Sequence, residues 1–371
     1  MISKDRVRED FLALIQIDSI SGREGRAAQW IEDQVRAIGL QPRRDAAGEA
    51  IGGECGNVIA TVRGEDGVPA ILLTAHMDTV QPGEGIKPVV EGDVIRSDGT
   101  TVLGGDDKGG CTALLNALRE IVEKDVPRPT LHVVYTISEE TGLEGAKHLD
   151  LSALPCAMAL AIESGTIGRI TTGAPYADKV NATIYGKRAH AGLRPEAGIN
   201  AIQAASRGIA AMRLGRIDEE TTANIGTIAG GDARNVVPET CRLEGGARSH
   251  DEAKLKAQVH HMAQCLEQGA YSERARVEIE AERAYDGFRH SEDAPCVRLA
   301  VEAAEGVGIV PAVGLSGGGS DANILNARGI PSVVIGVGPQ EVHTTNEWVD
   351  VKDLVRGTEW IVEIVRRARG R

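Results

Sequence analysis

Aromatic residues are scarce: Phe, Trp and Tyr make up 3% of the 371 residues, too few for the stacking platforms that hold bases or sugars. Positive charge is in deficit as well. Lys and Arg number 41 against 54 Asp and Glu, a net charge of −13, which excludes a nucleic-acid partner because phosphate binding needs a concentrated basic surface. The six cysteines, Cys55, Cys111, Cys156, Cys241, Cys265 and Cys296, include no C-x-x-C pair. That excludes a disulfide frame and a cysteine-built metal site, and fits reduced thiols in a cytoplasmic protein. No apolar run approaches the roughly 20 residues a bilayer span needs, so no membrane partner is expected. No apolar stretch follows Met1-Ile2-Ser3-Lys4-Asp5-Arg6, so no secretory leader is expected either. Internal repeats and low-complexity segments are absent.

Apolar residues make up 42%, enough for a sizeable core, and the length favours two domains over one. Val7, Phe11, Leu14 and Ile15 have helical spacing. Ser21-Gly22-Arg23-Glu24 has the form of a capping box opening a second helix, with Gly39 at its end. Asn57 to Val62, Ala70 to Ala75, Thr130 to Ile137 and Ala157 to Ile162 are short apolar strands alternating with helices such as Asp107 to Lys124, the rhythm of an α/β sheet under helical cover. From Lys179 to Glu282 the order becomes βαββαβ, a split-βαβ unit of ferredoxin-like type, after which the α/β rhythm returns. The expected organisation is therefore an outer domain, 1–177 and 286–371, interrupted by an inserted domain, 178–285.

Polar residues collect where the outer strands end. Ile71 to Ala75 runs into His76-Met77-Asp78, and residues two apart face one side of an extended chain. Leu103 to Gly110 sets Asp106 and Asp107 between paired glycines before a helix. The next strand reaches Ser138-Glu139-Glu140-Thr141-Gly142, another reaches Glu163-Ser164-Gly165, and His343 follows a Gly/Pro turn. Alone, each is an ordinary polar turn or helix cap. Together they place two imidazoles and at least four carboxylates at the sheet edge where α/β proteins bind ligands. Adjacent carboxylates repel unless a cation or proton lies between them. This donor set suits zinc or a similar divalent ion, and a shared carboxylate suits two ions roughly 3.5–4 Å apart.

Other features carry less. His132 lies within a strand and reads as packing; His148, His250 and His290 lie near element ends and read as solvated. The adjacent His260 and His261 point to different sides of a helix. Leu315 to Ala322, with Gly317-Gly318-Gly319-Ser320, resembles a phosphate cradle and raises the alternative of a small-molecule kinase, but P-loop spacing is absent.

The order H-x-D, G-G-D-D-K-G-G, E-E-T-G, E-S-G, H-A-G and a late His resembles the co-catalytic dizinc exopeptidase and deacylase family over nearly the whole chain. That family includes peptidase T, carboxypeptidase G, acetylornithine deacetylase and succinyl-diaminopimelate desuccinylase, and the resemblance is greatest to peptidase T-like members. It implies a zinc-exopeptidase-like catalytic domain and a lid and dimerisation domain. It implies two zinc ions per subunit, with cobalt or manganese as substitutes: His76, Asp106 and Glu163 on one, Asp106, Glu140 and His343 on the other. Glu139 would be the general base, and Asp78 the partner that orients His76. His190, in Arg188-Ala189-His190-Ala191-Gly192, would stabilise the oxyanion in the other subunit of a homodimer. Asn235, in Asn235-Val236-Val237-Pro238, together with Arg248, Gly318 and Ser320, would bind substrate. The resemblance also implies a cis peptide bond between Asp106 and Asp107. The implied substrate is a short peptide cleaved by a tripeptide aminopeptidase-type enzyme. Glu163 departs from the Asp expected of peptidase T-like members and matches carboxypeptidases and deacylases, which makes a carboxypeptidase or N-acyl amino acid deacylase the alternative.

Overall fold

All six residues of the strand Ile71–His76 are buried, as a strand covered on both faces by helices must be. It lies between Leu131–Thr136 and Met158–Glu163 and is parallel to both, with Ile71 opposite Leu131 and His76 opposite Thr136. Ser332–Gly336 continues the parallel set beside Met158–Glu163, with Gly336 opposite Glu163. Val58–Val62 and Arg169–Ala174 flank these strands antiparallel, giving a mixed sheet. The four parallel strands therefore end on one edge. The computed structural model of the chain describes residues 2–370.

The helices of this α/β unit include Lys4–Ile15, Gly25–Ala37, Gly105–Glu123, Pro295–Gly306 and Val351–Ala368. Val7, Phe11, Leu14 and Ile15 are all buried, so the spacing read from the sequence is the packed face. Trp360 is fully buried and donates its Nε1–H to Ala300 O at 2.9 Å; truncating a side chain of this kind to Ala costs roughly 3–5 kcal/mol. No helix among the described residues is long and apolar enough to cross a membrane.

Two expectations change here. The Ser21–Glu24 segment does not cap a helix: the helix starts at Gly25, and Glu24 at its N-cap makes no side-chain capping bond. Several strands also went unread, namely Arg169–Ala174, Ala312–Leu315 and the small sheet of Val89–Glu91, Val94–Arg96 and Trp348–Asp350. Elements of three or four residues hold too little period to recognise, and Thr171, Thr172 and Gly173 break the apolar run of Arg169–Ala174.

The chain divides by its contacts into two units: Met1–Gly173 with Arg289–Ser316 and Ser320–Arg371, and Ala174–Phe288 with Gly317–Gly319. In the second, the antiparallel sheet runs Gly215–Arg216, Thr221–Gly230, Thr240–Ser249, Tyr176–Tyr185, Arg276–Tyr285. Leaving aside its short first strand, this is the ferredoxin-like order. The helices Ala201–Ala211 and Glu252–Ser272 are capped by Asn200 and Asp251, which accept from Gln203 N and Lys254 N at 3.0 Å. They touch at glycines: a Cβ on Gly269 would lie 2.6 Å from Gly208 N. A short separate ladder pairs Ala189–His190 with Val236–Val237.

Candidate metal centre

The common edge of the parallel strands gathers the polar residues. His76 is the last residue of its strand, Glu139 and Glu140 follow Leu131–Thr136, and Glu163 ends Met158–Glu163. His343 lies in the segment after Ser332–Gly336, at a left-handed φ of 62°. Asp106 sits at the start of Gly105–Glu123 with non-helical backbone, and the Asp106–Asp107 bond is cis.

Asp106 lies between the two imidazoles. Its Oδ1 is 3.4 Å from His76 Nε2 and its Oδ2 is 3.2 Å from His343 Nε2. His343 Nε2 is also 2.8 Å from Glu140 Oε1. Ligand atoms of His76, Asp106 and Glu140 all lie within 4.8 Å of one another. Glu163 is not part of that closest set, but it lies near enough to Asp106, Asp321 and Glu140 to feel their charge.

Asp107, the other acid of the pair, does different work. Its buried carboxylate accepts His76 N at 3.2 Å and Gly110 N at 3.0 Å, tying the strand end to the helix. Gly110 must be glycine: a Cβ there would lie 2.3 Å from Asp107 Oδ1. Asp78 is fully buried and also takes more than its expected role. His76 Nδ1 is 3.0 Å from the Asp78 carbonyl and 3.4 Å from its Oδ1, so the backbone supplies the nearer acceptor. The carboxylate instead accepts Glu139 N at 3.0 Å, Glu140 N at 3.1 Å and Ser21 Oγ at 2.7 Å.

Electrostatics makes this cluster costly without a cation. Burial pushes the Glu139 carboxyl well above its ordinary range, with the charges of Glu163, Asp321 and Glu140 adding to it. Burial likewise lifts Glu163 to about 8. Hydrogen bonds to Asp106 and Glu140 raise His343 to about 10. Burial alone would depress His76, but Asp106 and Asp78 outweigh it and push the imidazole well up. Protons are standing in for positive charge, and two imidazoles with converging carboxylates are a donor set for borderline divalent ions. The residues present fit a metal centre.

Two residues here escaped the sequence reading. Glu347 is buried, and its carboxylate accepts Leu103 N, Gly104 N and Asp106 N at 2.7, 2.8 and 2.9 Å. It thus fixes the turn that carries Asp106. Only its place four residues after His343 could have flagged it. Asp321, within the Gly-rich motif, is buried, with Oδ2 accepting Thr136 Oγ1 at 2.6 Å and Thr74 Oγ1 at 3.4 Å and with Oδ1 unpartnered. A carboxylate so placed suits a wall of this site and not a phosphate cradle.

The remaining expected residues are Ser320, buried at the N-cap of Asp321–Ala327, and a group in the second unit. There the short ladder sets His190 opposite Val236, and Asn235 O accepts Ala191 N at 3.0 Å. His190 is exposed, and its Nδ1 accepts Gly192 N and Leu193 N at 3.1 and 3.2 Å. That places the proton of the neutral ring on Nε2, leaving Nε2 as a free donor. Arg248 is exposed, with Nη1 3.5 Å from Gly317 O, beside Gly318.

Comparison with known proteins agrees with this geometry. The model of Peptidase family M20/M25/M40 matches residues 72–367, a span holding every donor described above. The chain is 40% identical to the uncharacterized protein YqjE of Bacillus subtilis, over 99% of this chain and 100% of that one. The crystal structure of aminopeptidase PepT from Bacillus cereus superimposes with a TM-score of 0.85 at 40% identity, covering 99% of each chain. That of a tripeptidase from Staphylococcus aureus gives 0.91 at 39% identity, covering 100% of each. The strand-end histidines and acids are thus set in a fold and a sequence shared along the whole chain with such proteins, and the chain belongs to peptidase family M20/M25/M40.

Proposed function

We propose that this protein is a dinuclear metal-dependent exopeptidase that hydrolyses an amide bond of short peptides, of the tripeptide aminopeptidase type. The observation that carries the reading is Asp106 set between His76 and His343, 3.4 and 3.2 Å away, as a carboxylate shared by two ions must be. His76, Asp106 and Glu163 would hold one ion, and Asp106, Glu140 and His343 the other. Zinc suits these donors, with cobalt or manganese as substitutes. When bound, the pair would acidify the attacking water and polarise the scissile carbonyl.

Glu139 then takes the proton of the attacking water and passes it to the leaving amine nitrogen. His190, with its proton on Nε2, donates to the developing oxyanion of the partner subunit in a homodimer. Asn235, Arg248, Gly318 and Ser320 bind the substrate, with the planar guanidinium matched to a free carboxylate. The ferredoxin-like unit serves as lid and dimerisation domain, and the protein works in the cytoplasm.

Glu163 favours a second reading, that of a carboxypeptidase or N-acyl amino acid deacylase, since the resemblance leads to Asp there in aminopeptidases. The deciding experiment is a panel of tripeptides, dipeptides, C-terminally amidated tripeptides and N-acyl amino acids, assayed with zinc, cobalt and manganese. Release of the N-terminal residue from tripeptides, with amidated forms poor, supports the first reading. Turnover confined to N-acyl amino acids or to C-terminal release would replace it.

A further inference from the structure

Ser21-Gly22-Arg23-Glu24 has the pattern of a helix cap but caps nothing. Glu24 is fully buried, and its Oε1 accepts Ser138 N and Ser138 Oγ, both at 3.0 Å, and Gly22 N at 2.8 Å. Ser21 Oγ donates to Asp78 Oδ2 at 2.7 Å. Asp78 in turn accepts Glu139 N and Glu140 N. Every backbone N–H of Ser138-Glu139-Glu140 therefore ends on one of two buried carboxylates, and the Ser21–Glu24 turn connects those two acids. The turn is itself fastened to the strand end that carries Asp78. Ser19 Oγ donates to Met77 O at 2.8 Å, Thr79 N to Ser19 O at 3.0 Å, and Arg23 N to Ile20 O at 2.8 Å.

A brace is needed here. Ser138 sits at a φ of 50°, a left-handed conformation that disfavours a non-glycine residue and persists only when its surroundings enforce it. We propose that Ser21 and Glu24 are positioning residues for Glu139: they hold the Ser138–Glu140 turn so that the Glu139 carboxylate stays aimed at the water it deprotonates. The inference rests on the reading of Glu139 as the base. Its requirement is reach, because the work is done by one carboxylate oxygen placed to accept from Ser138. Gln retains that oxygen at the same distance, whereas Asp keeps the charge and loses the reach.

The test is steady-state kinetics on a tripeptide for Glu24→Gln, Glu24→Asp, Glu24→Ala and Ser21→Ala, with metal content and Tm measured on each. Glu24→Asp and Glu24→Ala should lower kcat about 10–100-fold, the usual cost of losing a residue that orients a reacting group. KM should stay within about twofold, and metal content should match wild type, since uniform binding is untouched. Glu24→Gln should recover most of kcat. Ser21→Ala, which removes a single partly exposed hydroxyl and leaves the core intact, should lower kcat on the order of threefold to tenfold. Wild-type kcat in Ser21→Ala and Glu24→Ala, a Glu24→Asp variant more active than Glu24→Gln, or losses that track lost metal would each overturn the proposal. Glu139→Gln in the same assay separates the two claims: if it turns over like wild type, the base assignment has failed. If it is inactive while Glu24→Ala is unimpaired, the brace alone has failed.

Discussion

Asp78 Oδ1 accepts the backbone N–H of Glu139 at 3.0 Å, so the acid expected to orient a histidine also fixes the backbone of the residue proposed as the base. Burial works against the Asp78 charge, but His76, Ser21 and the Glu139 N–H hold its carboxyl below the ordinary range. Asp78→Asn keeps the shape and replaces one acceptor oxygen by an amide NH2, which faces a backbone N–H as a second donor. The variant should fold, bind metal and lose kcat about 10–100-fold. Kinetics beside a metal count checks this, and an unchanged kcat would show that the Asp78 carboxylate orients nothing essential.

Stability of the metal-free protein should fall as pH rises. Glu163, lifted to about 8 by burial, and Glu347, lifted to about 7 by burial, keep protons that an unfolded carboxyl releases near 4.5. His343, raised to about 10 by Asp106 and Glu140, keeps a proton that an unfolded imidazole releases near 6.5. Folded chains thus bind more protons across this window, and ΔG of unfolding falls with pH wherever that holds. The Glu contributions are complete below about 4.5 and gone above their folded pKa values; that of His343 is complete below about 6.5 and gone above 10. Tm of chelator-treated protein should therefore decline from pH 5 to pH 8, above which Lys108, lowered to about 8 by burial, opposes what remains from His343, and the gain in Tm on adding zinc should grow from pH 5 to pH 8. A metal-free Tm that climbs with pH would contradict the burial of these groups.

How much of this was legible in the sequence follows from what each residue answers to. The polar edge was readable because strand ends in an α/β sheet converge, but the choice of Asp106 over Asp107 and Glu140 over Glu139 came from the family resemblance; in the structure Asp106 lies near both His76 and His343, and His343 near Glu140. The helical face of Val7, Phe11, Leu14 and Ile15 was readable because burial repeats at the helical period. Glu347 was not, since its partners are backbone N–H groups more than 240 residues earlier in the chain and no local pattern encodes them. Glu24 was misread for a related reason. Ser-x-x-Glu does form a local unit, but its hydrogen bonds go to Asp78 and Ser138, and only the folded sheet puts those beside it.

If His190 serves the partner subunit, two inactive variants should rescue each other. Glu139→Ala and His190→Ala are each expected to be nearly inactive. After mixed refolding, half the dimers pair unlike chains, and each such dimer has one site with both groups intact, so about a quarter of wild-type activity should return. If His190 serves its own chain, no site in the mixture is complete. Verified subunit exchange without recovery would exclude the trans arrangement.

In the proposed mechanism Glu140 holds metal while its neighbour Glu139 moves the proton. Counting metal ions per chain, by mass spectrometry of the elements, in wild type, Glu139→Gln and Glu140→Gln, beside tripeptide turnover, separates the two roles. Wild type should hold two ions per chain, and Glu139→Gln two with turnover reduced about 10²–10⁴-fold, the contribution of a positioned general base. Glu140→Gln should lose affinity for one ion. A Glu139→Gln protein that binds only one ion, or that binds two and remains fully active, would contradict those roles.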